Sequence, residues 1–347
     1  MTKLTLRRPD DWHLHLRDGA AMAAVLPFTA ARFGRAIVMP NLKPPVTTTE
    51  LALAYRDRIR AALPAGSRFE PLMTLYLTDR TAPAEVARAR ASGCVVGFKL
   101  YPAGATTHSE SGVTDLRNIR GVLEQISAHG MVLQVHGEVT AATVDVFDRE
   151  ARFIDEVLQP LCVRHPDLRI VFEHITTRRA VEFVRGARAG VAATITPQHL
   201  MMNRNALFVG GIRPHLYCLP VLKTESDREA LIEAATSGDP RFFLGTDSAP
   251  HARHTKEAAC GCAGIFSAHA AIELYAEVFD AVERLPCLPA FAAEFGADFY
   301  RLPRNQDFIT LVPEPWQVPD TYQFGADVVV PLRAGETIGW RMIAGAP

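Results

Sequence analysis

The sequence predicts an α/β fold in which eight parallel strands alternate with helices and close into a (β/α)8 TIM barrel. Eight short apolar runs alternate with amphipathic stretches rich in Ala, Arg, Glu and Leu. The runs are almost continuously apolar, as expected of parallel strands that helices cover on both faces. The eight units occupy about 250 residues, which is the usual size of such a barrel.

The predicted strands and helices follow one another in a regular order. The apolar runs cover residues 11–16, 35–39, 72–76, 95–99, 131–136, 170–174, 191–195 and 242–247. Helical patterns fall between them, over 49–62, 83–91, 115–129, 149–164 and 177–188. No run is followed by G-x-G-x-x-G, which argues against an open doubly wound sheet.

The tail of the chain is interrupted by prolines and departs from this pattern. It contains two β-like pieces, 307–311 and 326–330. Together with the first residues of the chain, these pieces could form short N- and C-terminal strand extensions beside the barrel. No internal repeat, low-complexity segment or linker divides the chain. We therefore expect residues 1–347 to form a single domain.

The composition argues against several classes of partner. The chain carries 37 basic and 38 acidic side chains, which gives a formal net charge of -1 with both signs mixed. This balance favours neither nucleic acid nor a membrane surface as a partner. The sequence shows no leader pattern and no apolar run of membrane-spanning length, so we expect a cytoplasmic protein. The 6 cysteines form no C-x-x-C pair, and we expect reduced thiols.

The stretch 11–18, Asp-Trp-His-Leu-His-Leu-Arg-Asp, is the first candidate for a functional site. Alternate side chains of a strand face the same way, so His13, His15 and Arg17 should share one side. The two imidazoles would lie about 7 Å apart along the strand and could reach one metal ion. Most such His-x-His pairs are surface or core histidines, so the remaining ligands must come from elsewhere.

Further metal-competent or activatable residues mark the ends of later apolar runs. Lys99 closes the fourth run, His136 the fifth, His174 the sixth and Asp247 the eighth. The carboxyl ends of barrel strands form the face on which barrel enzymes place their sites. Together with the two histidines of the first run, these residues exceed what one zinc ion with an open position needs. The sequence therefore predicts two metal ions.

Lys99 is the unusual member of this group. An ammonium among Val, Gly, Phe and Leu is costly to bury, so its pKa should fall. A neutral amine can add carbon dioxide to become a carbamate, whose negative charge and two oxygens could join both ions. The alternative is a lysine that extends to solvent or pairs with a carboxylate. The surrounding histidines favour the bridge.

Longer segments around these residues resemble a known family. The segments are Arg-Pro-Asp-Asp-Trp-His-Leu-His-Leu-Arg-Asp (8–18), Met-Pro-Asn-Leu (39–42), Lys-Leu-Tyr-Pro (99–102), Val-His-Gly-Glu (135–138), Phe-Glu-His-Ile-Thr-Thr (172–177) and Leu-Gly-Thr-Asp-Ser-Ala-Pro-His (244–251). The metal-competent set resembles the binuclear centre of the amidohydrolase superfamily. Within it, the segments are most similar to the single-domain bacterial dihydroorotase family.

This resemblance implies the cofactor and the role of each site residue. Two zinc ions per subunit would be held by His13, His15 and Asp247 for the first ion and by His136 and His174 for the second. Carboxylated Lys99 and a hydroxide would bridge the ions. The substrate would meet Arg17, Asn41 and His251 at its carboxylate, Thr106 and Thr107 of a closing loop, and backbone groups near Leu219 and Ala263 at its ring.

The implied activity is the reversible interconversion of N-carbamoyl-L-aspartate and L-dihydroorotate in pyrimidine biosynthesis, with Asp247 shuttling the proton. The resemblance also implies a small-molecule substrate and a homodimer. The nearest alternative is another cyclic amidase, such as a hydantoinase or allantoinase, whose substrates lack the carboxylate that Arg17 would bind. A mononuclear deaminase would have no use for Lys99. A catalytically inactive structural relative is the alternative from a different class.

Overall fold

A computed structural model describes residues 3–259 and 261–343 of the chain. Its strands, in chain order, are β1 (Leu4–Arg7), β2 (Asp10–Leu14), β3 (Arg35–Val38), β4 (Glu70–Tyr76), β5 (Val95–Leu100), β6 (Val132–Val135), β7 (Arg169–Phe172), β8 (Val191–Ile195), β9 (Phe242–Leu244), β10 (Phe308–Val312), β11 (Trp316–Gln317), β12 (Tyr322–Phe324), β13 (Asp327–Val329), β14 (Thr337–Ile338) and β15 (Arg341–Ile343). Strands β2 to β9 form one eight-stranded sheet in sequential order.

Helices connect these strands. They are α1 (Gly19–Arg32), α2 (Thr49–Ala61), α3 (Ala84–Ala91), α4 (Arg120–Ala128), α5 (Arg149–Phe153), α6 (Gln159–Arg164), α7 (Arg178–Gly186), α8 (Pro197–Met201), α9 (Glu225–Thr236), α10 (Arg253–Lys256), α11 (Ala271–Ala281), α12 (Leu288–Ala293) and α13 (Phe295–Tyr300). Within the described residues, no helix is both long and apolar enough to cross a lipid bilayer.

All pairings in the eight-stranded sheet are parallel, and its two ends meet. The amide of Asp247 donates to the carbonyl of His13 at 2.8 Å, and the amide of His15 donates to the carbonyl of Ser248 at 3.0 Å. These bonds join the end of β2 to the segment after β9 and close the barrel. The predicted barrel class is confirmed, and each of the eight apolar runs overlaps one barrel strand.

The amino end of the barrel is filled by an aromatic cluster. The ring of Trp12 on β2 stacks on Tyr300 of α13 with a centroid distance of 4.7 Å and an interplanar angle of 4°. Phe243 of β9 packs edge-on against Trp12 at 6.3 Å. These apolar side chains seal that end, so polar side chains are left for the opposite, carboxyl end of the strands.

Local chemistry explains several element boundaries. The hydroxyl oxygen of Thr48 accepts from the amide of Leu51 and starts α2. A capping box of Thr224 and Asp227 starts α9. The predicted helix 149–164 is interrupted between α5 and α6 by a π-helical turn at Ile154–Leu158. The predicted helix 115–129 starts as a 3-10 turn at Leu116–Ile119 before α4.

The strand extensions differ in part from the prediction. Strand β1 pairs antiparallel with β10, which pairs with β15, so the first residues do join the first tail piece. The second piece, 326–330, does not join this sheet. Its strand β13 pairs with β12 instead, because Gly325, with φ +64°, turns the chain into a tight hairpin. The five cysteines that the structure describes are free, and Cys260 lies outside the described residues.

Candidate active site

The six predicted metal residues come together at the carboxyl end of the barrel. Every one of them is buried: His13, His15, Lys99, His136, His174 and Asp247. His174 and Asp247 have positive φ angles of 42° and 46°, and Arg17 has 66°. Left-handed backbone is costly for side chains other than glycine and concentrates at functional sites. The prediction that Arg17 shares one side of a strand with His13 and His15 is wrong, because β2 ends at Leu14 and the chain turns at Arg17.

His13, His15 and Asp247 form a compact cluster. Asp247 Oδ1 lies 3.1 Å from His15 Nε2 and 3.5 Å from His13 Nε2. One ligand atom from each of the three side chains lies within 4.8 Å of the others. Three neighbouring donor groups of this kind suit a divalent metal ion with His and carboxylate ligands.

Hydrogen bonds on the outer side of the cluster fix which imidazole nitrogen carries the proton. Asn41 Nδ2 donates to the Thr107 carbonyl at 3.0 Å, so its Oδ1 faces His15 Nδ1, at 2.8 Å. His15 Nδ1 must therefore carry the proton. In the same way, His13 Nδ1 donates to Glu173 Oε2 at 2.9 Å.

The inner nitrogens therefore present lone pairs. Burial lowers the pKa of His13 and of His15, which keeps both imidazoles neutral. Each Nε2 then directs a lone pair toward the Asp247 carboxylate, and three electron-pair donors converge without a proton between them. Such an arrangement repels itself unless a cation lies among the donors. The residues fit a metal ion.

His136, His174 and Lys99 form the second part of the site. The His136 and His174 rings lie 4.9 Å apart, and the His13 ring lies 4.9 Å from His174 on the other side. His136 Nε2 donates to Glu138 Oε2 at 2.8 Å, which leaves Nδ1 with a lone pair. Among the described residues, His174 Nδ1 and Lys99 Nζ have no hydrogen-bond partner. Buried polar groups without a hydrogen-bond partner are rare in folded proteins, and here they suit a site that binds a metal ion.

Lys99 is fully buried, and burial lowers its pKa to about 8. Its Nζ lies 5.1 Å from the centre of the Tyr101 ring. The structure therefore bears out the expected desolvation of this lysine. The carbamate itself is a covalent change that stays a prediction.

Arg17, His251 and Ala263 form a polar wall beside the metal cluster. Arg17 Nη2 lies 2.8 Å from His251 Nε2, and its Nε donates to the Pro250 carbonyl at 2.9 Å. His251 Nε2 also lies 3.0 Å from the Ala263 carbonyl. A neutral imidazole nitrogen either accepts from Arg17 or donates to Ala263, but not both. The Arg17 guanidinium or the Ala263 carbonyl therefore keeps a hydrogen-bonding position for a ligand. Burial, followed by the Arg17 charge, lowers the pKa of His251.

The segment after β5 lies closed over the site. Thr107 Oγ1 donates to the Ala263 carbonyl at 3.3 Å. The closed segment leaves a cavity of only about 20 Å³ below it. Its lining includes the predicted substrate residues Arg17, Asn41, Thr106, Thr107, Leu219 and Ala263. His251 lies behind Arg17 and Ala263 and is the one predicted substrate residue outside this lining. Asn41 faces His15 and Thr107 rather than Arg17.

Several residues that support the site were not predicted from the sequence. Glu173 holds His13 and accepts from Thr194 Oγ1 at 2.6 Å, while burial raises its pKa to about 7. Glu138 holds His136. The hydroxyl of Tyr101, which lines the cavity, is buried and has no hydrogen-bond partner in the described part of the chain. A carboxylate at the end of an apolar strand, as in Glu173, is the one signal that could have indicated such a role.

Comparison with known proteins agrees with this geometry. The model of the amidohydrolase family matches residues 11–294. A dihydroorotase of Azoarcus sp. (strain BH72) is 66% identical over 99% of this chain and 100% of its own length. The crystal structure of dihydroorotase from Campylobacter jejuni has a TM-score of 0.90 and 35% identity, covering 99% of this chain and 98% of that chain.

A second solved structure extends the comparison to a eukaryote. Dihydroorotase from Saccharomyces cerevisiae, in complex with 5-fluoroorotic acid, has a TM-score of 0.91 and 30% identity and covers 99% of both chains. The similarity therefore spans the barrel and the tail together. Because the family model covers most of the chain and these relatives cover nearly all of it, the chain belongs to the amidohydrolase family and, within it, to the dihydroorotases.

Proposed function

We propose that this protein is a zinc-dependent dihydroorotase, a hydrolase of a cyclic amide that interconverts L-dihydroorotate and N-carbamoyl-L-aspartate in pyrimidine biosynthesis. The observation that carries the proposal is the cluster of His13, His15 and Asp247, whose unprotonated donors converge beside an arginine-lined cavity. The relatives named dihydroorotase support the choice of substrate.

The first zinc ion would be held by His13, His15 and Asp247, and the second by His136 and His174. Lys99 would bridge them as a carbamate, because an amine with a pKa of about 8 is partly neutral near physiological pH and can attack carbon dioxide. When bound, the two ions would lower the pKa of the attacking water and polarise the ring carbonyl.

The protein's own residues would bind the substrate by its carboxylate. The guanidinium of Arg17 offers planar paired donors that match a carboxylate. His251 Nε2 can give up its contact with the Ala263 carbonyl and donate to the substrate carboxylate instead. Asn41 uses one of its two amide protons on Thr107 and has the other available. Backbone groups near Leu219 and Ala263 would meet the ring, and Thr106 and Thr107 would close over it.

Asp247 would move the proton during hydrolysis. Burial raises its pKa, but the cation proposed between the carboxylate and the two imidazoles would keep the net pKa below the usual value. The carboxylate is therefore ionised at neutral pH and can accept a proton from the attacking water. Its Oδ1 faces the imidazoles, which leaves Oδ2 to deliver that proton to the departing ring nitrogen.

The test is a dihydroorotate hydrolysis assay with metal counting on the same preparation. We expect turnover of dihydroorotate, little or none of hydantoin, and two zinc ions per chain. Faster turnover of hydantoin would instead indicate another cyclic amidase. A protein with metal but no turnover of either compound would be an inactive relative.

We also propose a cytoplasmic homodimer. Phe208, Val209 and Ile212 expose 61%, 63% and 84% of their surface, as apolar side chains at an interface do before it forms. Light scattering on the purified protein would give its mass, and a monomer at micromolar concentration would contradict this part of the proposal.

A further inference from the structure

Lys256, the last residue of α10, is buried and donates three hydrogen bonds to backbone carbonyls. It exposes 3% of its surface. Its Nζ lies 2.7 Å from the Tyr217 carbonyl, 2.8 Å from that of Cys262 and 2.7 Å from that of Gly264. An ammonium has three protons, so these carbonyls use its full donor capacity.

A buried ammonium of this kind is costly. No carboxylate lies within ion-pair distance of Lys256 among the described residues. Burial lowers its pKa to about 8, which still leaves the group mostly charged at pH 7. Its desolvation is offset by charge-assisted bonds to the three carbonyls. Lys223 is also buried but donates to a single carbonyl, that of Val221 at 2.9 Å.

The three carbonyls belong to two separate segments of the chain. Tyr217 precedes Leu219 in the connection from β8 to β9, while Cys262 and Gly264 flank Ala263 in the loop after α10. The amide of Gly264 also donates to the Tyr217 carbonyl at 3.0 Å. Leu219, Ala263 and Gly264 line the cavity of the candidate site. The two segments are therefore two walls of one cavity.

We infer that Lys256 is a positioning residue for the substrate ring. Its ammonium fixes the distance between the wall at Leu219 and the wall at Ala263, and so the width of the slot between them. The same contact places the Ala263 carbonyl, which meets both Thr107 Oγ1 and His251 Nε2. This inference rests on the proposed function, because the ring is that of dihydroorotate.

The test compares Lys256→Met with the wild-type zinc enzyme. Methionine keeps the length and apolar stem but removes all three donors. We expect the KM for dihydroorotate and the dissociation constant of orotate, measured by calorimetry, to rise at least tenfold. The value of kcat should fall less than threefold, and the zinc content should stay unchanged, because no metal residue touches Lys256. Lys256→Gln retains two donors and should give intermediate values, and it decides the test if the methionine variant does not fold.

Lys223→Met is the matched control, since it removes a buried ammonium that does not join the cavity walls. It should bind orotate as the wild type does. Orotate binding that is unchanged in Lys256→Gln and Lys256→Met, or lowered equally in Lys223→Met, would overturn the inference. A wild-type enzyme that neither binds orotate nor hydrolyses dihydroorotate would overturn the proposed function instead.

Discussion

Each of three site histidines has its outer nitrogen occupied by a different polar partner. Glu173 holds His13, Asn41 holds His15 and Glu138 holds His136. These partners decide which nitrogen presents its lone pair to the cavity, because a neutral imidazole carries only one proton. At the scale of single residues, the hydrogen-bond partners of the candidate ligands therefore decide which imidazole nitrogens can bind a metal ion.

Lys99 gives the first prediction. Lys99→Ala should bind less zinc and lose nearly all activity, because the carbamate that joins the ions can no longer form. Small carboxylic acids added to this variant should restore part of the activity by supplying two oxygens in the gap. Zinc content and dihydroorotate turnover measure both effects. Full metal content with normal turnover would show that Lys99 forms no bridge.

Arg17 and Asp247 should differ in kinetic signature. Arg17→Met removes the charged, paired guanidinium donors that bind the substrate carboxylate. This contact is worth about 2–3 kcal/mol, so KM should rise strongly. Asp247→Asn cannot accept a proton, so kcat should fall more than KM changes. Steady-state kinetics of both variants on dihydroorotate provide the measurement. If the two signatures were exchanged, the assigned roles would be wrong.

The pH dependence follows from the same carboxylate. Hydrolysis opens the ring to a new carboxylate and releases a proton, whereas cyclisation consumes one. Since the pKa of Asp247 is lowered, hydrolysis should persist into mildly acidic solution and decline as the pH falls through that pKa. Cyclisation needs the protonated form and should prefer lower pH. Initial rates in both directions on one preparation test this, and coincident profiles would contradict it.

The metal-competent residues could be predicted because each one ends or follows an apolar strand, and strand ends meet in a barrel. The hydrogen-bond partners of these residues could not be predicted from the sequence. Asn41 is 26 residues from His15, and Lys256, which supports the cavity walls and no metal-competent residue, is 39 from its partner Tyr217. Such contacts depend on how loops fold over the barrel rim, and no periodic pattern in the sequence encodes that path.

At the scale of elements, the segment 101–112 is held shut by Asn41. The backbone carbonyl of Asn41 lies 3.2 Å from His108 Nδ1, while its side-chain Nδ2 donates to the Thr107 carbonyl at 3.0 Å. The same side chain contacts His15, so the closed segment is connected to the metal cluster through one residue. Few bonds hold this segment, as expected of a loop that opens to admit substrate.

The loop hydroxyls supply a prediction at this scale. Replacing Thr106 and Thr107 by alanine together should lower kcat at least tenfold, because the closed loop loses its contacts with substrate and with Ala263. Zinc content should not change. Ser111→Ala, an exposed position on the same loop, is the control and should behave as the wild type. Unchanged kinetics in the double variant would leave the loop without a role.

Elements were predicted most reliably where apolar runs are buried on both faces. All eight barrel strands belong to this group, since β2 to β9 pack between helices and the barrel interior. The exceptions are local. The π-helical turn at Ile154–Leu158 leaves the amphipathic pattern almost unchanged, and the β12–β13 hairpin uses Gly325, whose turn competes with the longer-range pairing that the sequence suggested.

At the scale of the whole molecule, stability and chemistry reside at opposite ends of the barrel. The aromatic cluster of Trp12, Phe243 and Tyr300 closes the amino end, while the candidate site occupies the carboxyl end. This separation allows the amino end to be altered without touching the proposed ligands.

Tyr300→Ala should therefore lower the free energy of unfolding by about 3–5 kcal/mol, the usual cost of deleting a large buried aromatic side chain. Gln134 also loses the hydrogen bond that it donates to the Tyr300 hydroxyl, at 3.0 Å. Denaturant unfolding measures the change. Phe308→Ala, at a position 51% exposed, is the control and should cost under about 1 kcal/mol. A small effect for Tyr300→Ala would mean that this end of the barrel contributes little to stability.

The pairing of β1 with β10 also sets an order of events during synthesis. Leu4 pairs with Leu311, so the first strand to leave the ribosome must wait for one of the last. At about 5–20 residues per second, that delay is roughly 15–60 s. Every barrel strand is translated within this interval, so the barrel can close while β1 still has an open edge. Nascent chains arrested before residue 308 should accordingly remain sensitive to protease at residues 4–7 after the barrel has become resistant.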